Sequence, residues 1–155
     1  MTIKLTMIAW AIAAVVLMPL PALAAVNCSI STVGVVFGTY NVFAPTVLAS
    51  TGSVTINCVG VGSGVAPVSV ALSRGNAGSF QPRTMLRSGE PLNYNLYRDA
   101  GGTNIWGDGT GGSVNFSTSV SNNQTVNTTI FGRIPAGQDV SVGSYTDTIT
   151  ATINF

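Results

Sequence analysis

The side chains able to do chemistry are few. The chain has no histidine, one glutamate (Glu90), four aspartates (Asp99, Asp108, Asp139, Asp147) and two cysteines, Cys28 and Cys58. General acid–base work draws first on histidine and then on carboxylates set close together. Nothing in the spacing brings Asp99 to Asp108, and aspartate beside glycine commonly serves a turn. Gly107-Asp108-Gly109-Thr110-Gly111-Gly112 has the composition of a phosphate-cradling loop, but no Lys-Ser/Thr follows it and no helix opens after it, so a hairpin turn is expected there. Two widely separated thiols without histidine make a poor metal set. The inventory predicts no catalytic residues, no metal, no cofactor and no small-molecule substrate. Tyr97 and Trp106 flank glycine-rich stretches and could contact a sugar; an aromatic beside a hairpin more often covers the edge of a core.

The elements that must position these residues follow from composition. Only 7% of the 155 residues are charged, six basic against five acidic, which argues against nucleic acid as a partner because that affinity comes from Lys and Arg on phosphates. Lys4, the apolar run Leu5–Leu17, Pro19, Pro21 and the small-x-small triplet Ala22-Leu23-Ala24 have the form of a secretory signal cut after Ala24. The mature domain is then 25–155. It contains no lysine, its five arginines balance five acids, and nearly half of it is Ser, Thr, Asn or Gly, a composition poor for helices. Near-zero charge favours association. In an oxidising compartment Cys28 and Cys58 are expected to form a disulfide, which at this loop size stabilises by roughly 3–4 kcal/mol in the chain-entropy account.

Period two runs through the mature chain and helical period is absent. Val54, Ile56 and Cys58 alternate with Thr55 and Asn57; Val68, Val70 and Leu72 with Ser69 and Ala71; Leu92, Tyr94 and Leu96 with Asn93 and Asn95. Val126, Thr128 and Ile130 make another run, and Ser144 to Phe155 the clearest, with Ile149, Ala151, Ile153 and Phe155 on one face and Thr148, Thr150, Thr152 and Asn154 on the other. After Cys28 the parity changes between Ile30 and Val33, Val35 and Phe37, so a bulge or bend is expected near Thr32 or Gly34. Seven or eight short strands separated by glycine-rich turns predict an all-β antiparallel sandwich in one domain.

Several stretches in order resemble the spore coat protein U domain family and the related pilin subunits of archaic chaperone-usher pili. They are Cys28, Phe37-Gly38-Thr39-Tyr40, Thr51-Gly52-Ser53-Val54-Thr55-Ile56-Asn57-Cys58, Leu92-Asn93-Tyr94-Asn95-Leu96-Tyr97-Arg98-Asp99, Trp106-Gly107-Asp108-Gly109, Phe131-Gly132-Arg133-Ile134-Pro135 and Gly143-Ser144-Tyr145-Thr146-Asp147-Thr148. The resemblance implies an incomplete immunoglobulin-like antiparallel β-sandwich that lacks its last strand. It implies an apolar groove filled first by a periplasmic chaperone and then by a strand from a sister subunit delivered at an outer-membrane usher, a case of strand addition at a sheet edge. By that pattern Ile149, Ala151, Ile153 and Phe155 form one wall, and Val33, Val35 and Phe37 the other. The implied setting is the cell surface, as a pilus or coat component in adhesion and biofilm; a glycan or an abiotic surface is a further candidate partner, and a secreted carbohydrate-binding adhesin module an alternative function.

A donor strand of about ten residues spans roughly 33 Å, whereas cleavage after Ala24 leaves Ala25, Val26 and Asn27 ahead of Cys28. The expectation is a subunit that accepts a strand without donating one, as at the tip or first position of a fibre, or a coat protein that does not polymerise this way. A small outer-membrane β-barrel is the other class that ends on alternating residues and a terminal Phe. It needs strands of about 9–11 residues with a lipid-facing apolar set, and the outward residues of the last segment are Thr and Asn.

Overall fold

The computed structural model describes residues 25–155; the signal expected at 1–24 lies outside the described residues. Eight strands follow in order: β1 (Asn27–Val33), β2 (Leu48–Val59), β3 (Val65–Leu72), β4 (Arg83–Arg87), β5 (Glu90–Tyr97), β6 (Phe116–Ser121), β7 (Thr125–Ile134) and β8 (Ala151–Asn154). They form a five-stranded antiparallel sheet ordered β1-β2-β7-β5-β4 and a three-stranded one ordered β6-β3-β8. No helix occurs among the described residues.

Alternation sets which face is buried. Val54, Ile56 and Cys58 of β2, Leu92, Tyr94 and Leu96 of β5, and Ile130 and Ile134 of β7 point inward from one sheet. Val68, Val70 and Leu72 of β3 and Val120 of β6 meet them from the other. Trp106 is fully buried and donates its indole N–H to the Val70 carbonyl at 3.0 Å, so it belongs to the core's interior rather than its edge. Cys28 stands opposite Cys58 in the β1–β2 register, and a disulfide joins them. Ser88 and Gly89 connect β4 to β5 with positive φ (48° and 91°), the two-residue turn whose twist matches that of the paired strands.

The structure redraws two sequence expectations. The β1 register is unbroken from Asn27↔Val59 to Val33↔Ser53, so there is no bulge inside it; the parity change marks the point at Gly34 where the chain leaves the sheet. The long last strand is shorter than its alternation suggests. Thr146 pairs with Leu86 of β4, whereas Ala151–Asn154 pair with β3, so the segment crosses from one sheet to the other and only its end is laddered.

Candidate functional site

The crossing leaves one side of the sandwich open. The free edge of β8 has no ladder partner among the described residues, and β1 approaches it from the other sheet. Between them lies a cleft of about 290 Å3. Val33, Gly34, Val35 and Phe37 form one wall, Tyr145 to Asp147, Ile149 and Ala151 the other, and Leu72, Met85, Tyr94, Leu96 and Ile130 the floor. A second cleft of about 840 Å3 continues from it, sharing Val35, Phe37, Met85 and Tyr145, and its rim carries the exposed Val36 and Val142.

Two glycines explain how the 34–37 segment lies against the sheet. A Cβ at Gly52 of β2 would collide with the Val33 carbonyl and crowd Val35, and one at Gly132 of β7 would run into Val35 and the Phe37 ring. Phe37 then meets Tyr94 edge to face, ring centroids 5.9 Å apart. These side chains cover inner-face surface that the three-stranded sheet does not reach, while the backbone from Gly34 to Tyr40 joins no strand ladder.

One polar pair stands in the apolar lining. Tyr94 donates its hydroxyl to Asp147 Oδ2 at 2.6 Å, and Asp147 Oδ1 accepts the N–H groups of Asn76 (2.8 Å) and Thr148 (2.7 Å). Burial, and then the hydrogen bond to Asp147, push the Tyr94 phenol far above its ordinary range, so it stays a neutral donor. Asp147 thereby ties the last segment to the 73–78 loop, where a Cβ at Gly75 (φ 67°) would strike its carboxylate.

Of the residues named from sequence, Val33, Val35, Phe37, Ile149 and Ala151 line this cleft together. Ile153 pairs with Val70 and packs on the core beyond it, and Phe155, 56% exposed, lies outside it. Met85, Tyr145 and Asp147 are contributors that alternation did not single out, whereas the parity of Tyr94 with Leu92 and Leu96 marked it as inward-facing. Asp99 and Asp108 do not converge: Asp99 accepts from Thr103 and Asn104, Asp108 from Thr110, each within its own turn. In the 107–112 loop the Gly107 N–H donates to the Val114 carbonyl at 2.8 Å, closing it back on the chain.

Comparison with known proteins places this geometry. The Spore Coat Protein U domain model matches residues 14–152. Protein U of Myxococcus xanthus is 30% identical over 131 residues, which cover 77% of this chain and 70% of that protein. In three dimensions the fold is similar, at a TM-score of 0.60 and 21% identity, to a chain in the crystal structure of the CsuC-CsuE chaperone-tip adhesion subunit pre-assembly complex from archaic chaperone-usher Csu pili of Acinetobacter baumannii. That match covers 84% of this chain and 40% of the solved one, so this chain spans about two fifths of its length. With an open-sided all-β sandwich and a family match over nearly its whole length, the chain belongs to the Spore Coat Protein U domain family.

Proposed function

We propose that this protein is a secreted structural subunit of a surface pilus or spore-coat-like layer, held to its neighbours by donor-strand complementation through a chaperone-usher system. The observation that carries the reading is the apolar cleft beside the unpaired edge of β8. An extended strand laid there satisfies that edge's free N–H and C=O groups and covers Val33, Val35, Ile149 and Ala151 at the same time. The periplasmic chaperone is the first occupant and a sister subunit's strand the second, with an outer-membrane usher exchanging them. Residues 1–24 act as the secretory signal, and the assembled subunit meets a glycan or an abiotic surface.

The finer proposal is an acceptor at the tip or first position. After cleavage at Ala24 the three residues ahead of Cys28 are already engaged: Val26 packs on the core, Ala25 lies against Gly60, and Asn27 pairs with Val59. None is free to reach a neighbour. The test is thermal denaturation of the purified secreted protein with a synthetic donor peptide from a sister subunit. A rise in Tm with peptide concentration is expected, and an unchanged Tm at saturation would overturn the acceptor reading. In cells, Ile149→Asp and Ile153→Asp should abolish chaperone co-purification and assembly while export continues; normal co-purification of both would remove the groove from the mechanism.

A further inference from the structure

A separate cleft of about 400 Å3 opens over the β5–β7 pair. Tyr97 and Arg133 project there from the face opposite Leu96 and Gly132, because side chains alternate along the paired strands. The 99–104 loop arches over Arg133. The guanidinium donates to the Ala100 carbonyl through Nη2, and Gly102 (φ 75°) lies so close that a Cβ there would meet it. Its remaining N–H groups have no acceptor, and the Tyr97 hydroxyl no partner, among the described residues. Among the described residues no carboxylate lines the cleft. The nearby Asp99 is occupied by the N–H groups of Thr103 and Asn104 and by the Thr103 hydroxyl. Gln81, an exposed residue, also lines the cleft.

We propose that this cleft is a binding subsite for a carboxylate-bearing pyranose, a sugar acid. A half-buried guanidinium with unused planar donors and no internal counter-ion suits a carboxylate. A half-exposed tyrosine ring beside it offers the flat apolar face that a sugar ring stacks on, and the Gln81 amide can address ring hydroxyls. The volume falls in the range of about 300–1,000 Å3 typical of small-ligand sites. Of the two aromatics that sequence offered for a sugar, Trp106 is enclosed in the core and Tyr97 lines this cleft. The proposal draws on the surface-assembly reading only for its setting, contact with an acidic polysaccharide; the site itself needs nothing but the folded chain.

Saturation-transfer NMR on the purified secreted protein tests it, with glucuronate, glucose and acetate as probes. Glucuronate should bind at least about tenfold more tightly than glucose or acetate. Arg133→Gln should erase that preference, Arg133→Lys should keep part of it, and Tyr97→Ser should weaken glucuronate while leaving acetate unchanged. A uronate oligomer binding more tightly than the monomer assigns the ligand to a polymer, and equal binding assigns it to the free sugar. Equal binding of glucuronate and acetate, or no glucuronate signal up to about 20 mM, would overturn the proposal. Should Arg133→Gln fail to fold, Arg133→Lys and Tyr97→Ser decide it. The donor-peptide Tm response should be the same in wild type and Tyr97→Ser, so either reading can fail alone.

Discussion

The β1–β2–β7 ladder and the flank made by segments 34–43 and 135–150 are built from similar residues and held together differently. On the first, pairing is continuous from Leu48↔Ile134 to Asn57↔Thr125 and from Asn27↔Val59 to Val33↔Ser53, with the disulfide locking the far strand. On the second, residues 34–43 and 135–150 contribute one short bridge, Leu86↔Thr146, and side chains replace the ladder. Gln138 accepts the Asn93 N–H at 2.8 Å and donates to its carbonyl at 2.9 Å, as a neighbouring strand would. The Tyr40 hydroxyl donates to the Pro135 carbonyl and accepts the Gln138 N–H. A flank satisfied by side chains can part without breaking a row of backbone bonds, so its local opening costs less than that of the laddered flank.

The largest test of that contrast is the tie between the sheets. Arg83 of β4 is wholly buried, donates to the Ser73 and Trp106 carbonyls and to Asn95 Oδ1, and stacks on Phe80. Burial lowers its pKa from the ordinary arginine value, opposed by the nearby Tyr94, Asp147 and Asp108. Arg83→Leu orphans three acceptors, and a loss of about 3–5 kcal/mol in unfolding free energy is expected. A loss below about 1 kcal/mol would mean the sheets are held by packing alone. Next comes the disulfide: the Cys28→Ala, Cys58→Ala pair should cost about 2–4 kcal/mol. Hydrogen exchange should rise at Ser29–Val33 and stay unchanged at Leu92–Leu96. Uniform acceleration in both would show that β1 and β5 open as one unit.

What sequence conveyed followed the same division. Where the ladder is regular, period two identified the buried residues of β2, β3 and β5, and the oxidising compartment expected from residues 1–24 pointed to the cysteine pair. On the opposite flank the alternation runs on through residues that join no ladder. Val35 and Phe37 reach the core across two glycines on strands distant in sequence, a fit that exists only once the sheet is assembled. Ile149 and Phe155 share a parity but not an environment, because the chain changes sheets between them. In the sequence Arg83 is only one of five arginines; its three acceptors are carbonyl and amide groups whose convergence no local pattern announces.

A finer test compares two glycines of the open flank. Gly132→Ala should cost about 1–3 kcal/mol by overpacking against Val35 and Phe37. It should also raise proteolysis within residues 34–43 while leaving β1 protected. Gly34→Ala meets nothing within 4 Å and should be close to neutral. Equal costs at the two sites would contradict the seating of the 34–37 segment on β7.

The smallest expected effect is confined to the loop that roofs Arg133. The Asp99 carboxyl is held at about 2, below its ordinary 3.8, chiefly because the N–H groups of Thr103 and Asn104 bond its charged form. Its folded value lies below the unfolded one, so its contribution is complete above pH 3.8 and is lost as the pH falls through about 2. The amide resonances of Thr103 and Asn104 should therefore hold their positions from neutral pH down to about pH 4 and shift with a midpoint near 2. In Asp99→Asn the step should vanish. A midpoint at or above the ordinary carboxyl value would mean that the charged form is not what binds the loop. Because those donors keep Asp99 from Arg133, the guanidinium would then no longer be the uncompensated charge that the outer cleft requires.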